Sequence, residues 1–180
     1  MTKAEKTRRF IVEQTAPIFN MKGYAGTSLS DITEATGLTK GSVYGNFANK
    51  DEVALAAFDY NKEKMTAAVN SAMAGEKTIK GKLLVYVDLY RTLLSDALPK
   101  GGCPLLNTAI ESDDTHPELR EKVLKAVLDW KKRLTNLVKE GIAQNQIAKD
   151  TNAEQVALTM IAMIEGAIML SRLTASEAHW

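Results

Sequence analysis

Cysteine is almost absent. Cys103 is the one thiol in 180 residues, which excludes an internal disulfide and suits a reducing compartment. Histidine is scarce as well. His116 and His179 are the two present, and no Cys, His or carboxylate cluster has metal-ligand spacing, so no metal is expected. With no convincing nucleophile–base arrangement either, the chain is not expected to be an enzyme or to hold a cofactor. Four prolines and eleven glycines are few, helix formers abound, and there is no repeat or low-complexity tract. These absences favour an all-α fold. The segment Met1–Arg9 is charged and lacks the apolar core of a signal peptide. The most apolar stretch, Val156 to Leu170, has 15 residues and contains Glu165, too short and too polar for a membrane span. A cytoplasmic protein without a membrane partner is expected.

An excess of one charge is missing too: the net charge is +1. Its distribution is uneven. Residues 1–50 hold 7 basic against 4 acidic side chains, and the remaining 130 hold 16 against 18. The head is mildly basic and the body slightly acidic, which suits a dimer that brings two basic heads to one face.

What is present is concentrated in residues 27–52. Ser28, with Asp31 three residues on, forms a capping box for a short helix whose inner face is Ile32 and Ala35. Gly37 allows a reversal. Thr39 caps a second helix, and Val43 and Phe47, one turn apart, give it a buried side. Thr39, Lys40, Gly41, Ser42, Tyr44, Gly45 and Asn46 are left to face outward or to sit at the helix start. Small, polar and basic residues at the start of a second helix are what a helix-turn-helix offers to the DNA major groove.

Along the rest of the chain, helix 1 is expected from about Lys3 to Met21, with Ile11, Thr15, Ile18 and Phe19 on one face, Pro17 inside it and Gly23 ending it. Asn49 and Glu52 suggest a second capping box opening a helix to about Ala72. A polar connection follows over Met73–Lys82, then a helical stripe of Leu83, Leu84, Val87, Tyr90 and Leu94, and a break at Pro99–Gly102. A short helix from about Pro104 to Glu111, a long one from Thr115–Glu118 to about Glu140, and a last one from Thr151–Glu154 to about Leu173 complete the chain. The expected division is residues 1–52 as a three-helix head, helix 4 (about 50–72) as connector, and 73–180 as a larger helical-bundle body. The last helix is apolar most of the way round, so it is expected to be buried on several sides. Val156, Met160, Ala162, Met163, Gly166, Ala167 and Leu170 suit a two-fold dimer in which small residues admit a partner helix. A core helix of a monomer would show the same pattern.

Gly23-Tyr24, Thr27-Ser28, Ile32, Ala35, Gly37, Lys40-Gly41, Val43-Tyr44, Asn46-Phe47 and Lys50-Asp51-Glu52 stand in an order and spacing that closely resembles the N-terminal domain of the TetR family of repressors, over residues 8–55. Thr33 and Thr36 stand where that family usually has alanine, and Gly45 where many members carry a bulkier residue. The resemblance implies a dimer whose second motif helix reads the major groove of double-stranded DNA and whose body binds a small-molecule effector. Matching positions make Thr27, Tyr44 and Lys50 phosphate contacts, with partial core packing the alternative for Tyr44. The backbone at Thr39–Ser42 can donate to a phosphate. Base reading falls to Lys40, Ser42, Gly45 and Asn46, Lys40 suiting guanine and Asn46 adenine. Lys3, Lys6, Arg8 and Arg9 form a basic cluster, either reaching DNA or simply solvated.

In the body, Tyr86, Tyr90, Leu105, Leu106, Val127, Trp130 and Met163 are pocket candidates, each also compatible with plain core. Cys103 joins them. It follows a flexible turn at a helix start, where the dipole can lower a thiol pKa, and a Gly-Cys pair before a Leu-rich helix resembles a subgroup of AcrR-like regulators, some of which respond to electrophiles or oxidants. A small buried packing residue is the other reading. The functional expectation is a dimeric repressor that binds a palindromic operator and is released by an effector. The alternative is a helical ligand-binding or scaffold protein with a degenerate DNA-binding head.

Overall fold

Helix caps and apolar spacing carry over directly into the computed structural model, which describes residues 1–91 and 99–174, with the side chains of Tyr90 and Arg91 not included. Among the described residues there are eight helices and no strand: α1 (Lys3–Gly26), α2 (Leu29–Thr36), α3 (Lys40–Tyr44), α4 (Lys50–Met73), α5 (Ile79–Arg91), α6 (Pro104–Ser112), α7 (Pro117–Ala143) and α8 (Ala153–Thr174). The chain is all-α.

The chain divides into two compact units. One comprises Met1–Lys64 with Pro99–Val123, the other Met65–Leu98 with Leu124–Trp180. Residues 99–123, expected in the body, therefore fall in the unit that holds the head. The reason is a set of polar contacts to α1. The amide of Asn20 donates to the carbonyls of Lys100 at 2.7 Å and Gly102 at 3.0 Å, and that of Asn107 donates to Gly101 O at 2.8 Å and Asn20 O at 3.0 Å. The core of this unit is Ile11, Val12, Ile32, Val43, Phe47 and Val53, with Phe19, Leu38 and Tyr44 packed against it.

Several expectations need correction. α1 breaks at Gly23, where it is expected to end, but the chain turns helical again beyond it. Gly23 has φ 74° and ψ 177°, a conformation close to glycine-only, and the further turn runs to Gly26. Residues 79–82 are helix rather than connection, because Ile79 is buried and its N–H donates to the Gln146 side chain at 3.0 Å. The α5 stripe is out of phase: Leu84 is exposed, while Ile79, Val85 and Tyr86 are buried. Five apolar residues in a row, Leu83 to Val87, left the phase open in the sequence. Leu94 lies outside the described residues. At α4 only half a capping box forms. Asn49 accepts from Glu52 N at 2.9 Å, but the Glu52 carboxylate turns instead to Ala48 N and Arg8.

The second unit contains α5 packed on α8. α8 runs close to its expected bounds, and its 22 residues, unlike the 15-residue apolar stretch within it, are by length and composition alone long and apolar enough to cross a membrane. In the protomer it buries Ala153, Ala157, Ile164 and Ile168. Leu158, Met163, Met169, Leu170 and Leu173 are exposed, as are Leu124 and Leu128 on α7.

Candidate DNA-binding face

α2, the turn and α3 are built by local chemistry. Ser28 Oγ accepts from Asp31 N at 3.1 Å while the Asp31 carboxylate accepts from Ser28 N at 2.7 Å, closing the capping box. The Lys22 ammonium at 2.5 Å, together with Ser28, holds the Asp31 carboxyl well below the usual carboxylate range. Thr36 is not an idle departure from alanine. Its hydroxyl donates to Ile32 O at 2.7 Å and accepts from Leu38 N at 3.3 Å, bonding the end of α2 to the turn. Gly37 follows in the left-handed conformation, φ 65° and ψ 12°, and its N–H donates to Thr33 O. Thr39 Oγ1 then accepts from Ser42 N at 3.2 Å and starts α3. Ile32 and Val43 are fully buried, and Phe47 is 2 % exposed.

With that inner face fixed, Thr39, Lys40, Gly41 and Gly45 are exposed, and Ser42, Tyr44 and Asn46 are half-buried. Tyr44 packs partly on the core. Asn46 spends a side-chain N–H on Ser42 O at 2.9 Å. Lys50 donates to Tyr24 O at 2.9 Å and Thr27 O at 3.0 Å, with its ammonium 4.1 Å from the Tyr24 ring centre. Two of its three donors are thus engaged. Thr27 is fully buried and its hydroxyl donates to Gly23 O at 2.6 Å, so in this structure its side chain secures the turn and does not face outward.

Residues with no local sequence signal complete the support. Both Glu111 oxygens accept backbone N–H groups, from Tyr24 at 2.6 Å and Ala25 at 2.8 Å. The Tyr24 hydroxyl donates to Asp51, and its ring stands edge-on to His116 at 4.7 Å. His116 accepts from Leu119 N through Nδ1 at 3.3 Å, and its Nε2 lies 3.5 Å from Asp51. The hydrogen bond to Asp51, with burial, raises the Tyr24 pKa from 10.0 to about 12. A phenol held neutral in the fold stabilises it fully below its unfolded pKa, and that stability is lost as pH rises through the folded value. Tyr24 is therefore expected to ionise late in an ultraviolet phenolate titration, with the unit loosening between about pH 10 and 12. Tyr86 is raised too, by burial, so Tyr24→Phe should shrink the late phase by one tyrosine rather than abolish it; an unchanged late phase would show that Tyr24 ionises with the others.

The pocket candidates are distributed over both units. Tyr86, Val127, Trp130 and Met163 belong to the second, where the Tyr86 and Trp130 rings stack with centres 6.2 Å apart and Met163 is exposed. Burial raises the Tyr86 pKa, opposed by Arg133. The Tyr90 side chain lies outside the described residues. Cys103, Leu105 and Leu106 belong to the first unit. Cys103 sits at the cap position of α6, fully buried and without a side-chain capping bond. Of the dimer candidates, Ala162, Met163 and Leu170 are exposed, and Val156, Met160, Gly166 and Ala167 half-buried.

Known proteins share both parts of this chain. Residues 11–57 match the bacterial regulatory proteins of the tetR family, and residues 80–180 match the tetracyclin repressor-like C-terminal domain. A TetR-family transcriptional regulator from Cytophaga hutchinsonii is 50% identical, with TM-score 0.96 over 99% of this chain and 90% of that one. A TetR transcriptional regulator from Chloroflexus aurantiacus is 43% identical, with TM-score 0.93 and the same coverage, 99% and 90%. The transcriptional regulator TtgR of Pseudomonas putida is 29% identical over 170 residues, 92% of this chain and 80% of that protein. With a head that presents a capped helix-turn-helix and with relatives that are transcriptional regulators over nearly their whole length, the chain belongs to the TetR family of DNA-binding transcriptional regulators.

Proposed function

We propose that this regulator is a cytoplasmic repressor that binds a palindromic operator as a homodimer and leaves it when a small molecule occupies the body. The observation that carries the reading is the two-sided character of the motif: Val43 and Phe47 are buried while Thr39, Lys40, Gly41 and Gly45 are exposed. Lys40 reaches guanine O6 or N7, and the absent side chain at Gly45 lets the backbone come close to the groove. Ser42 and Asn46 complete the reading edge, with Tyr44 and the remaining donor of Lys50 on phosphates.

Two heads reach one operator when protomers pair through α7 and α8. Leu124, Leu128, Met163 and Leu170 are 43–69% exposed in the protomer. A partner's α7 and α8 would cover these side chains and form a four-helix core. The apolar side of α8 is assigned to that partner rather than to a lipid bilayer. For an effector, the second unit offers the Tyr86–Trp130 stack and the Thr135 hydroxyl, 7% exposed and without a hydrogen-bond partner among the described residues. An aromatic or apolar molecule with one hydrogen-bonding group suits side chains of that chemistry. A difference in its affinity for two head spacings is enough to shift DNA binding.

Selection of bound sequences from a random duplex library tests the reading, and a palindrome is the expected product. Roughly six neutralised phosphates per dimer give a slope of log affinity against log salt near about −5. Lys40→Ala is expected to cost about 1–3 kcal/mol on the selected operator and to relax the sequence at one position of each half-site. A slope near zero, or no enriched sequence, would remove DNA reading from the head.

A further inference from the structure

α3 has five residues, Lys40–Tyr44. A helix that short does not hold its own shape or direction, so its orientation has to be imposed from outside. Its entrance is held by the Thr39 cap and the buried Val43. Its exit is held by one side chain from α1. Arg8 Nη1 donates to Asn46 O at 2.5 Å, its guanidinium carbon lies 4.0 Å over the centre of the Phe47 ring, and Nη2 donates to Glu52 Oε1 at 2.5 Å. The other Glu52 oxygen accepts from Ala48 N at 2.6 Å. The Ala48 N–H, followed by Arg8, keeps the Glu52 carboxyl ionised to lower pH than usual. Three consecutive residues leaving α3 are thus gripped in turn, by carbonyl, ring and N–H.

From this geometry we infer that Arg8 is a positioning residue for sequence-specific DNA binding. It acts through Asn46–Ala48 to set the angle of α3, and it does not contact phosphate. Charge alone left two roles open for Arg8, reaching DNA or simply solvated, as for Lys3, Lys6 and Arg9 of the same basic cluster, which are exposed. The Arg8–Glu52 side chains are 41% and 39% exposed, and an ion pair in that setting is worth little by itself. What Arg8 adds is direction: a planar fork that bonds two acceptors while its face covers a buried ring, which a lysine cannot reproduce.

The inference rests on α3 as the reading helix, and the test separates the two. Wild type, Arg8→Ala, Arg8→Lys and Glu52→Gln are titrated against the selected operator and an unrelated duplex over a salt series, with circular dichroism confirming retained helix. Both Arg8 variants are expected to lose roughly tenfold or more on the operator. Their binding to the unrelated duplex and their salt slope should stay as in wild type. Glu52→Gln removes no cation and should show the same selective loss, more weakly. Equal losses on both duplexes with a slope reduced by about 0.9 per subunit, or rescue by Arg8→Lys, would make Arg8 a phosphate contact and overturn the inference. So would unchanged operator affinity in Arg8→Ala. Failure of the wild type to select any operator would instead remove the reading role of α3, and the inference with it.

Discussion

Replacing Gly166 with leucine is expected to leave the protomer helical and to lower its affinity for a two-half-site operator by roughly 10²- to 10⁴-fold. Gly166 lies inside α8, and a β-carbon built there meets nothing within 4 Å in the protomer. Within the chain helix propensity favours leucine over glycine by somewhat under about 1 kcal/mol, so a loss of operator affinity with the melting curve unchanged would come from contact with a second subunit. Ala162, one turn earlier, is exposed, and Met163 and Leu170 flank the same region at 69% and 43% exposure. In the proposed dimer, a partner helix would approach at the small residues and bury the large ones. A leucine at 166 would hold the partner off, and each head would then bind its half-site alone, without the effective concentration that linkage supplies. Sedimentation equilibrium should show monomer, affinity for an isolated half-site should be unchanged, and the melting curve should remain cooperative. A Gly166→Leu protein that is still dimeric, with operator affinity intact, would place the interface elsewhere.

The second large effect concerns Gly23. Alanine at this position is expected to destabilise the chain by about 3–5 kcal/mol and to lower its Tm by about 10 °C. Two terms combine. The conformation, φ 74° and ψ 177°, belongs to a region essentially reserved for glycine, and forcing a β-carbon into it costs about 1–3 kcal/mol. The same β-carbon would stand 2.6 Å and 2.7 Å from the two carboxylate oxygens of Glu111. Glu111 must then withdraw, leaving the N–H groups of Tyr24 and Ala25 without their acceptor. Hydrogen bonds to a charged group are worth about 1.5–3 kcal/mol. Glu111→Gln isolates the second term, because it keeps the shape while removing the charge and one of the two acceptors, and it should cost a fraction of the Gly23→Ala loss. Thermal melts of the two variants decide the matter: a Gly23→Ala chain that melts with wild type would show that neither term operates. Operator affinity should fall as well, since Tyr24 and Thr27, the carbonyls that hold Lys50, follow directly on this turn.

Much of the head is legible from the sequence because its chemistry is local. The Ser28–Asp31 box and the Thr39–Ser42 cap span three residues each, and Gly37 marks a reversal where the backbone needs one. Val43 and Phe47 are one helical turn apart, so burying one buries the other. Spacing of this kind needs no knowledge of the rest of the fold. The order of the helices was readable for the same reason, and the family resemblance of residues 8–55 rests on it.

The rest depended on groups far apart in the chain. Arg8 meets Asn46 and Glu52 across 38 and 44 residues, and Glu111 meets Tyr24 across 87. Nothing in composition distinguishes Arg8 from Lys6, or Glu111 from any solvated glutamate, until tertiary packing sets an acceptor or an N–H opposite it. Thr27 shows the same limit. Its position in the motif suggested a phosphate contact, yet packing buries it and turns its hydroxyl to Gly23. The phase of α5 and the grouping of residues 99–123 with the head were likewise decided only when other helices presented surfaces to them. By itself, then, the sequence determined the order of the helices, the caps of α2 and α3 and the split of α3 into a buried and an exposed side, because those follow from interactions within a turn or two. The tertiary structure alone decided which charges face solvent and which are spent holding the motif, because an ion's role depends on what the fold places within hydrogen-bond reach.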